Sequence, residues 1–410
     1  MSVCNRYSFF RIYATLLLLF VSIMLYAQKK DIAQAREYIK KGNNVEKAEQ
    51  MMRKLLTDSV NRNNMKIWIT LSDAVKKQYE MGNEKLYLRQ KYDTAALFVT
   101  AKNMFSVMEQ IDSIETQLNQ TQNGKYKYRD KHADYLVTYR PNLYNGGLFF
   151  IHKQKFADAY DFLNQYIETA NLPLFRKYNF NETDTLIPQA AYWAVYCGYK
   201  MKDPKATLHH TYLALKDTTH RMLMLQYLAE TYKLENDTAR YLATLNEGFD
   251  KYPSFSFFFP RLIAYYSGQE DWKSGLEIAN RALSVDARDK IFRITKSSML
   301  LNLGFYTECI SICDSLIAED KEMAEAYLNA GLSYFNQAVE LDKATGVSPK
   351  RQQNVLALYR KSLPYMETYR KLAPDKQEKW ALPLYTIYLN LNKGKEFEEI
   401  DKLIRNRKRT

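Results

Sequence analysis

Residues Ala324 to Tyr334 read AEAYLNAGLSY. The stretch sets a Tyr, an Ala-Gly pair and a second Tyr at helical spacing, large beside small. Moving N-terminally from Tyr334 in steps of 34 residues reaches Leu300, Tyr266 and Tyr232. A fixed period of this length marks an array of helix pairs, in which each pair buries its apolar side against its neighbours. The frames that follow are 222–255, 256–289, 290–323 and a unit opening at Ala324.

Each frame repeats the pattern. The first has Leu228-Ala229 and Tyr232, then Leu245, Gly248 and Phe249, with Pro253 stopping the second helix. The next has Leu262-Ile263, Tyr266, Trp272, Gly275, Ala279, Ala282 and Leu283; the third has Leu300, Gly304, Tyr306, Cys309, Cys313, Leu316 and Ile317. Small residues such as Gly275, Ala282 and Gly331 are expected to let two helix backbones approach. Turn residues, Ser267-Gly268 and Gly304, separate the helices. Gly147, Phe150, Phe156 and Ala159 place a unit at about 140–170, and Tyr192, Val195, Tyr199 and Ala214 another at about 189–220, with 171–188 read as an irregular loop.

The block AEAYLNAGLSY, with its period over 222–334, resembles the tetratricopeptide-repeat family. An N-terminal segment ending Tyr-Ala-Gln and the helix YRKSLPYMETYRKLAPD are similar to those of exported tetratricopeptide proteins of Bacteroides-type bacteria. The resemblance implies an all-α fold, a tetratricopeptide-like helical-hairpin solenoid (superhelix), and peptide or protein binding on the concave face formed by first helices. One subclass clamps a C-terminal carboxylate with Lys, Asn and Arg on those helices. Gln226 and Glu230 occupy the matching positions here, and an acid would repel the ligand.

Composition agrees with long helices. Of 410 residues 46% are apolar and 26% charged, and only 13 are Gly and 10 Pro. The 33 Tyr suit ring packing between helices with the hydroxyl at a polar edge. Arg6 and Arg11, the apolar run Ile12 to Tyr26 and Ala27 read as an export signal over 1–27, cleaved before Gln28; an uncleaved anchor is the rival and the one route to membrane contact. Export places the chain in the periplasm or cell envelope. Cleavage removes two Arg and lowers the net charge from +13 to +11. Basic residues alternate with acids except at Arg405, Arg407, Lys408 and Arg409, so no nucleic-acid partner is expected. Cys197, Cys309 and Cys313 make no disulfide framework.

Residues 28–122 are helical but poorly periodic, with Ala48, Met52 and Leu55 on one helix face and Trp68, Leu71 and Val75 on another. They read as degenerate repeats, separated by the polar run Gln117 to Asp130 from an array over 130–410. Inside that array, 336–357 is an insertion around Gly346-Val347-Ser348-Pro349, read as a protruding helical hairpin. The last unit, Trp380 to Ile404, has Pro383 in its first helix and Tyr388 three places off the ladder, and reads as a cap.

Function follows from the groove. Phe257, Ile291, Ile294, Leu301, Leu328, Leu332 and Phe335 fall at the concave positions and are expected to form an apolar partner-binding face. The rival is that the 336–357 hairpin folds back and covers it. Cys309 and Cys313, four apart, read as buried thiols, because zinc would need two more ligands. His209 and His210 read as surface residues pointing about 100° apart on one helix. Asp93-Thr94-Ala95, Asp184-Thr185-Leu186, Asp237-Thr238-Ala239 and Asp314-Ser315-Leu316 resemble O-glycosylation sites of exported Bacteroides-type proteins, although Asp-Thr also starts helices. No phosphate loop, His-Glu-x-x-His or Gly-x-Ser-x-Gly occurs. The expectation is a non-catalytic interaction scaffold with no cofactor, metal or catalytic residue. A structural subunit of an envelope assembly is the alternative, and a glycan-binding or hydrolytic enzyme the remote one.

Overall fold

A computed structural model describes residues 28–122, 126–343 and 348–407. The expected export signal, Gly124, the Gly346-Val347 tip and the tail residues Lys408 and Arg409 lie outside the described residues. Among the described residues every regular element is helical and no strand occurs. The fold is all-α, a tetratricopeptide-like array of helical hairpins. It divides into two compact units between Asn236 and Asp237. The polar run Gln117 to Asp130 lies within the first unit.

The first unit holds α1 (28–41), α2 (Val45–Leu56), α3 (Met65–Tyr87), α4 (Thr94–Gln122), α5 (Arg129–Val137), α6 (Pro141–His152) and α7 (Phe156–Glu168). It continues with α8 (Phe180–Thr183), α9 (Ile187–Met201), α10 (Pro204–His209), α11 (Thr211–Ala214) and α12 (Arg221–Leu234). One continuous core joins them, from Ala48 and Met52 through Phe105, Phe162 and Val195 to Leu228. The second unit holds α13 (Thr238–Lys251), α14 (Phe258–Gly268), α15 (Trp272–Val285), α16 (Lys290–Asn302), α17 (Tyr306–Glu319), α18 (Ala324–Lys343), α19 (Pro349–Leu372), α20 (Gln377–Asn390) and α21 (Gly394–Arg407). There each helix packs on the next, and α16, α18 and α20 also pack in one layer.

The repeat is set as firmly by its turns as by its aromatics. Lys202, Asn236, Glu270 and Gly304 follow one another at the 34-residue step, and all four have positive φ, between 54° and 79°. Each ends a first helix. At the turns after α14 and α16 the next residue closes back, Asp271 N–H to Tyr266 O at 2.9 Å and Phe305 N–H to Leu300 O at 2.9 Å. The following Asp then caps the second helix: Asp203 accepts from Ala206 N, Asp237 from Arg240 N and Asp271 from Ser274 N, at 2.9–3.1 Å. The expected breaks at Ser267-Gly268 therefore sit three residues early; Gly268 is still helical and Glu270 makes the turn.

Two packing expectations change. A Cβ on Gly275 or Gly331 would fall 2.5 or 2.6 Å from the Sδ of Met299 or Met366, so these glycines admit a methionine rather than a backbone. Gly198 is the close backbone approach: a Cβ there would lie 2.4 Å from Thr207 N. Residues 171–188 are no irregular loop. Two 3-10 turns and α8 fold Leu174, Phe175 and Phe180 into the core, and Phe175 meets Phe105 at 6.1 Å between centroids. The segment is tied to α6 by buried Arg140, which donates to Thr169 Oγ1 (2.7 Å) and Tyr166 O (3.1 Å), pairs with Asp184 and stacks on Phe180. Pro and Asn read as loop formers because their short-range role, starting and ending turns, hides this packing.

In the second unit α18 and α19 are the long pair, extended by a core of their own in Ala338, Val355 and Tyr359. In α21, Phe397, Ile400 and Ile404 turn inward while Lys395, Glu398, Glu399 and Lys402 are exposed.

Candidate functional site

The first-helix layer of the second unit, α16, α18 and α20, presents the expected groove positions unequally. Ile291, on the first turn of α16, is 63% exposed. Ile294, Leu332 and Phe335 are half-buried, and Phe335 packs on Tyr359 of α19 at 5.9 Å between centroids. Phe257, Leu301 and Leu328 are buried and offer no open anchor. Phe257 precedes α14 and stacks edge-on against Phe258 and under Arg261; Leu328 belongs to the core of α18–α20. Counting a ladder cannot tell a groove position from one that the next helix covers.

The floor of this layer is polar and satisfied. Asn329 on α18 donates to Ser297 Oγ and Ser298 Oγ on α16, both at 2.9 Å, and its carbonyl accepts from Ser333 Oγ at 2.8 Å. Ser362 Oγ on α19 donates to Gly331 O at 2.7 Å. Cys309 and Cys313 lie beneath as free thiols, fully buried. The hydrogen bond between them, together with burial, pushes the Cys313 thiol well above its ordinary range. Burial takes Cys197 up to about 12. The hydrogen bond with Cys313 lowers the Cys309 thiol, so burial rather than its titration is what keeps that sulfur from reacting.

The layer's open apolar stripe is on α20, where no site residue was expected. Leu382 and Leu389 are 65% and 56% exposed, with half-buried Tyr385 and Thr386 between them. Leu382 stands ten residues before the positive-φ Asn392, as Ile294 stands ten before Gly304; Leu389 and Leu301 both stand three before. They stand at the register positions that Ile294 and Leu301 hold in the repeat of α16.

Open clefts lie in the first unit, and two of them bear on the expected residues. One, about 430 Å³, is lined by Tyr199, Lys200 and Lys202 at the end of α9, by Pro204 and Thr207 on α10, and by Glu230, Thr231 and Leu234 on α12. Glu230 thus faces two lysines, and Gln226 is half-buried on the same helix. The other, about 470 Å³, lies between α7 and α10, with Tyr160 and His209 on its wall. His209 is exposed as expected, but His210 is buried and hydrogen-bonded through Nε2 to Asn164 Oδ1 at 2.8 Å. Its burial, with His209 adding to it, lowers the imidazole to about 4 and leaves it neutral.

The four Asp-Ser/Thr triplets expose their hydroxyl residues, but their aspartates have structural work. Asp93 and Asp237 cap helices, Asp184 holds Arg140, and Asp314 accepts from Tyr365 at 2.8 Å. In the tail, Arg405 pairs with Asp401 at 2.8 Å. No described helix is long and apolar enough to cross a membrane.

Neither a protein-family model nor a curated protein matches the sequence. Solved structures do. The C-terminal part of a tetratricopeptide repeat-containing protein from Cytophaga hutchinsonii is 9% identical over 63% of this chain and 93% of its own, with a TM-score of 0.42. A tetratricopeptide repeat protein from Parabacteroides merdae is 15% identical over 64% of this chain and 98% of its own, at 0.34. A monomeric IFIT1 mutant solved with Gppp-AAAA is 14% identical over 80% of this chain and 73% of its own, at 0.37. The similarity is one of helix-pair architecture alone.

Proposed function

We propose that this tetratricopeptide-like array is a non-catalytic scaffold that holds a protein or peptide segment on the first-helix layer of its second unit. The supporting observation is the pair of open leucines, Leu382 and Leu389, on α20, with half-buried Tyr385 between them. Leu382 and Leu389 are seven residues apart, two helical turns, which suits the apolar anchors of an amphipathic helix or an extended segment. Ile291 on α16 and half-buried Leu332 on α18 extend the same layer. The stripe contains no Lys or Arg between Leu382 and Leu389. It therefore favours an apolar protein segment over nucleic acid, whose binding rests on phosphate neutralisation. With the export signal read in 1–27, the partner belongs to the periplasm or cell envelope.

The test is affinity capture from native envelope extract with the mature chain, the double variant Leu382→Asp/Leu389→Asp and the control Leu186→Asp, an exposed apolar site on the first unit. Each lost anchor is expected to weaken capture at least about tenfold, since burying a leucine is worth roughly 1.5–3 kcal/mol. Both variants should unfold within about 0.5 kcal/mol of the parent. A double variant that retains the partner at full affinity removes this reading.

A further inference from the structure

We propose that Glu168, His209 and His210 hold one divalent transition ion of the zinc class, with three protein ligands and a coordination position left open to the cleft between α7 and α10. This goes beyond the scaffold reading and concerns the other unit. One ligand atom from each of the three residues lies within 4.8 Å of the other two. Ligands about 2.0–2.2 Å from a tetrahedral zinc ion stand about 3.3–3.6 Å apart, so side-chain rotation has to close separations by up to about 1.5 Å to complete the set.

Local backbone geometry makes the arrangement possible. On an unbroken helix, adjacent side chains diverge by about 100°. Here α10 ends at His209 and α11 begins at Thr211, and His210 between them leaves helical geometry with φ −106° and ψ 16°. The break brings the two imidazoles together, 4.2 Å apart between centroids and 29° between planes. The expectation that they point about 100° apart rested on a continuous helix, which the break at His210 interrupts.

Opposite them, α7 presents Tyr160, Asn164 and Glu168 at four-residue spacing, one helical face. The upper two each contact one ring nitrogen of the imidazoles and leave the other for a metal. Asn164 Oδ1, an acceptor, faces His210 Nε2 at 2.8 Å, so Nε2 carries the hydrogen and Nδ1 keeps its lone pair. Tyr160 Oη lies 3.1 Å from His209 Nδ1 and, accepting from it, leaves Nε2 as the donor to a metal. Such outer contacts are how metal-binding histidines are oriented. Glu168 supplies the anionic ligand, and two imidazoles with one carboxylate suit zinc, nickel or copper rather than calcium or magnesium. The adjoining cleft of about 470 Å³ leaves room for water or a donor atom from a bound partner.

The experiment titrates zinc into the full mature chain against a fluorescent chelator and repeats it with His209→Ala and Glu168→Gln. His209 is exposed, so its loss spares the fold, and circular dichroism verifies this for both variants. One saturable equivalent is expected, weakened at least about tenfold in each variant, with Asn164→Ala and Tyr160→Phe losing about 10–100-fold as orienting residues do. Cobalt(II) in place of zinc should give visible d–d bands that vanish in His209→Ala. Absence of saturable uptake, or uptake unchanged in folded His209→Ala and Glu168→Gln, overturns the proposal.

Discussion

Two glycines in similar helical surroundings should respond to the same substitution with opposite signs. Gly198 lies inside α9 and Gly268 ends α14, and neither has a positive φ. Replacing either by Ala gains up to about 1 kcal/mol, because Ala loses less backbone freedom on entering a helix. At Gly268 nothing lies within 4 Å of the new methyl, so Gly268→Ala should stabilise by about 0.4–1 kcal/mol. At Gly198 the methyl would sit 2.4 Å from Thr207 N and 2.7 Å from both Thr207 Cα and Ala206 C. These are backbone atoms of α10 and cannot rotate away. Overpacking costs about 1–3 kcal/mol, and rigid neighbours put this site at the upper end, leaving a net loss of about 2 kcal/mol. Urea unfolding followed by circular dichroism reads both variants against the parent at constant m. In thermal melts the loss corresponds to about 4–8 °C for a unit of this size. A Gly198→Ala protein as stable as the parent would refute the claim that α9 and α10 touch through their backbones.

Four further outcomes are expected. Asn329→Ala removes the amide that bridges α16 and α18 and leaves the fully buried Ser297 Oγ with its bond to Ile294 O alone, so urea unfolding should show a loss of about 2 kcal/mol. Glu270→Gly, in the turn position that Gly304 fills natively, should stabilise by about 1 kcal/mol in the same assay, since Gly carries no penalty at positive φ. Asp184→Asn should destabilise by several kcal/mol, toward the roughly 3–5 kcal/mol seen when one member of a buried pair is lost, because Arg140 keeps its charge in the core. Half-buried Glu109 on α4 is raised from 4.5 to about 7 by desolvation, which Gln165 at 3.4 Å only partly offsets. A carboxyl raised on folding favours the folded state while protonated. Its contribution is therefore full below about pH 4.5, is lost as pH rises towards 7, and amounts to no more than about 3 kcal/mol. Glu109→Gln should thus gain on the parent between pH 4.5 and pH 8; an unchanged difference across that range rejects the assignment.

The helix pairs were legible because two separate signals carry the same period. Tyr232, Tyr266 and Tyr334 mark the core side of first helices, while Lys202, Asn236, Glu270 and Gly304 mark the turns. Only one of the four turn residues is Gly, so composition hides the second series; the capping aspartates at 203, 237 and 271 are its visible trace. The expected groove positions were legible in register but not in exposure. Phe257, Leu301 and Leu328 occupy the right rungs, yet neighbouring side chains close over them. His210 was misread because a single non-helical residue between α10 and α11 has no sequence signature beyond ordinary polar letters.

The α20 stripe escaped for a related reason, and that reason bears on its role. Sixteen residues separate the residue before α20, Lys376, from its turn at Asn392, against fifteen between Asp289 and Gly304 around α16. The extra residue lies in a helix that carries Pro383, and it moves everything after it off the ladder. Read from the turn instead, Leu382 and Leu389 align with Ile294 and Leu301. The second helix of this last repeat meets the demand on a terminal unit, with Phe397 and Ile400 inward and Lys395, Glu398 and Lys402 outward. A repeat already capped on its outer side gains nothing for folding from two exposed leucines on its inner side. Each leaves roughly 1.5–3 kcal/mol of burial unrealised, a sum that association with an apolar segment can recover and folding of the described residues does not.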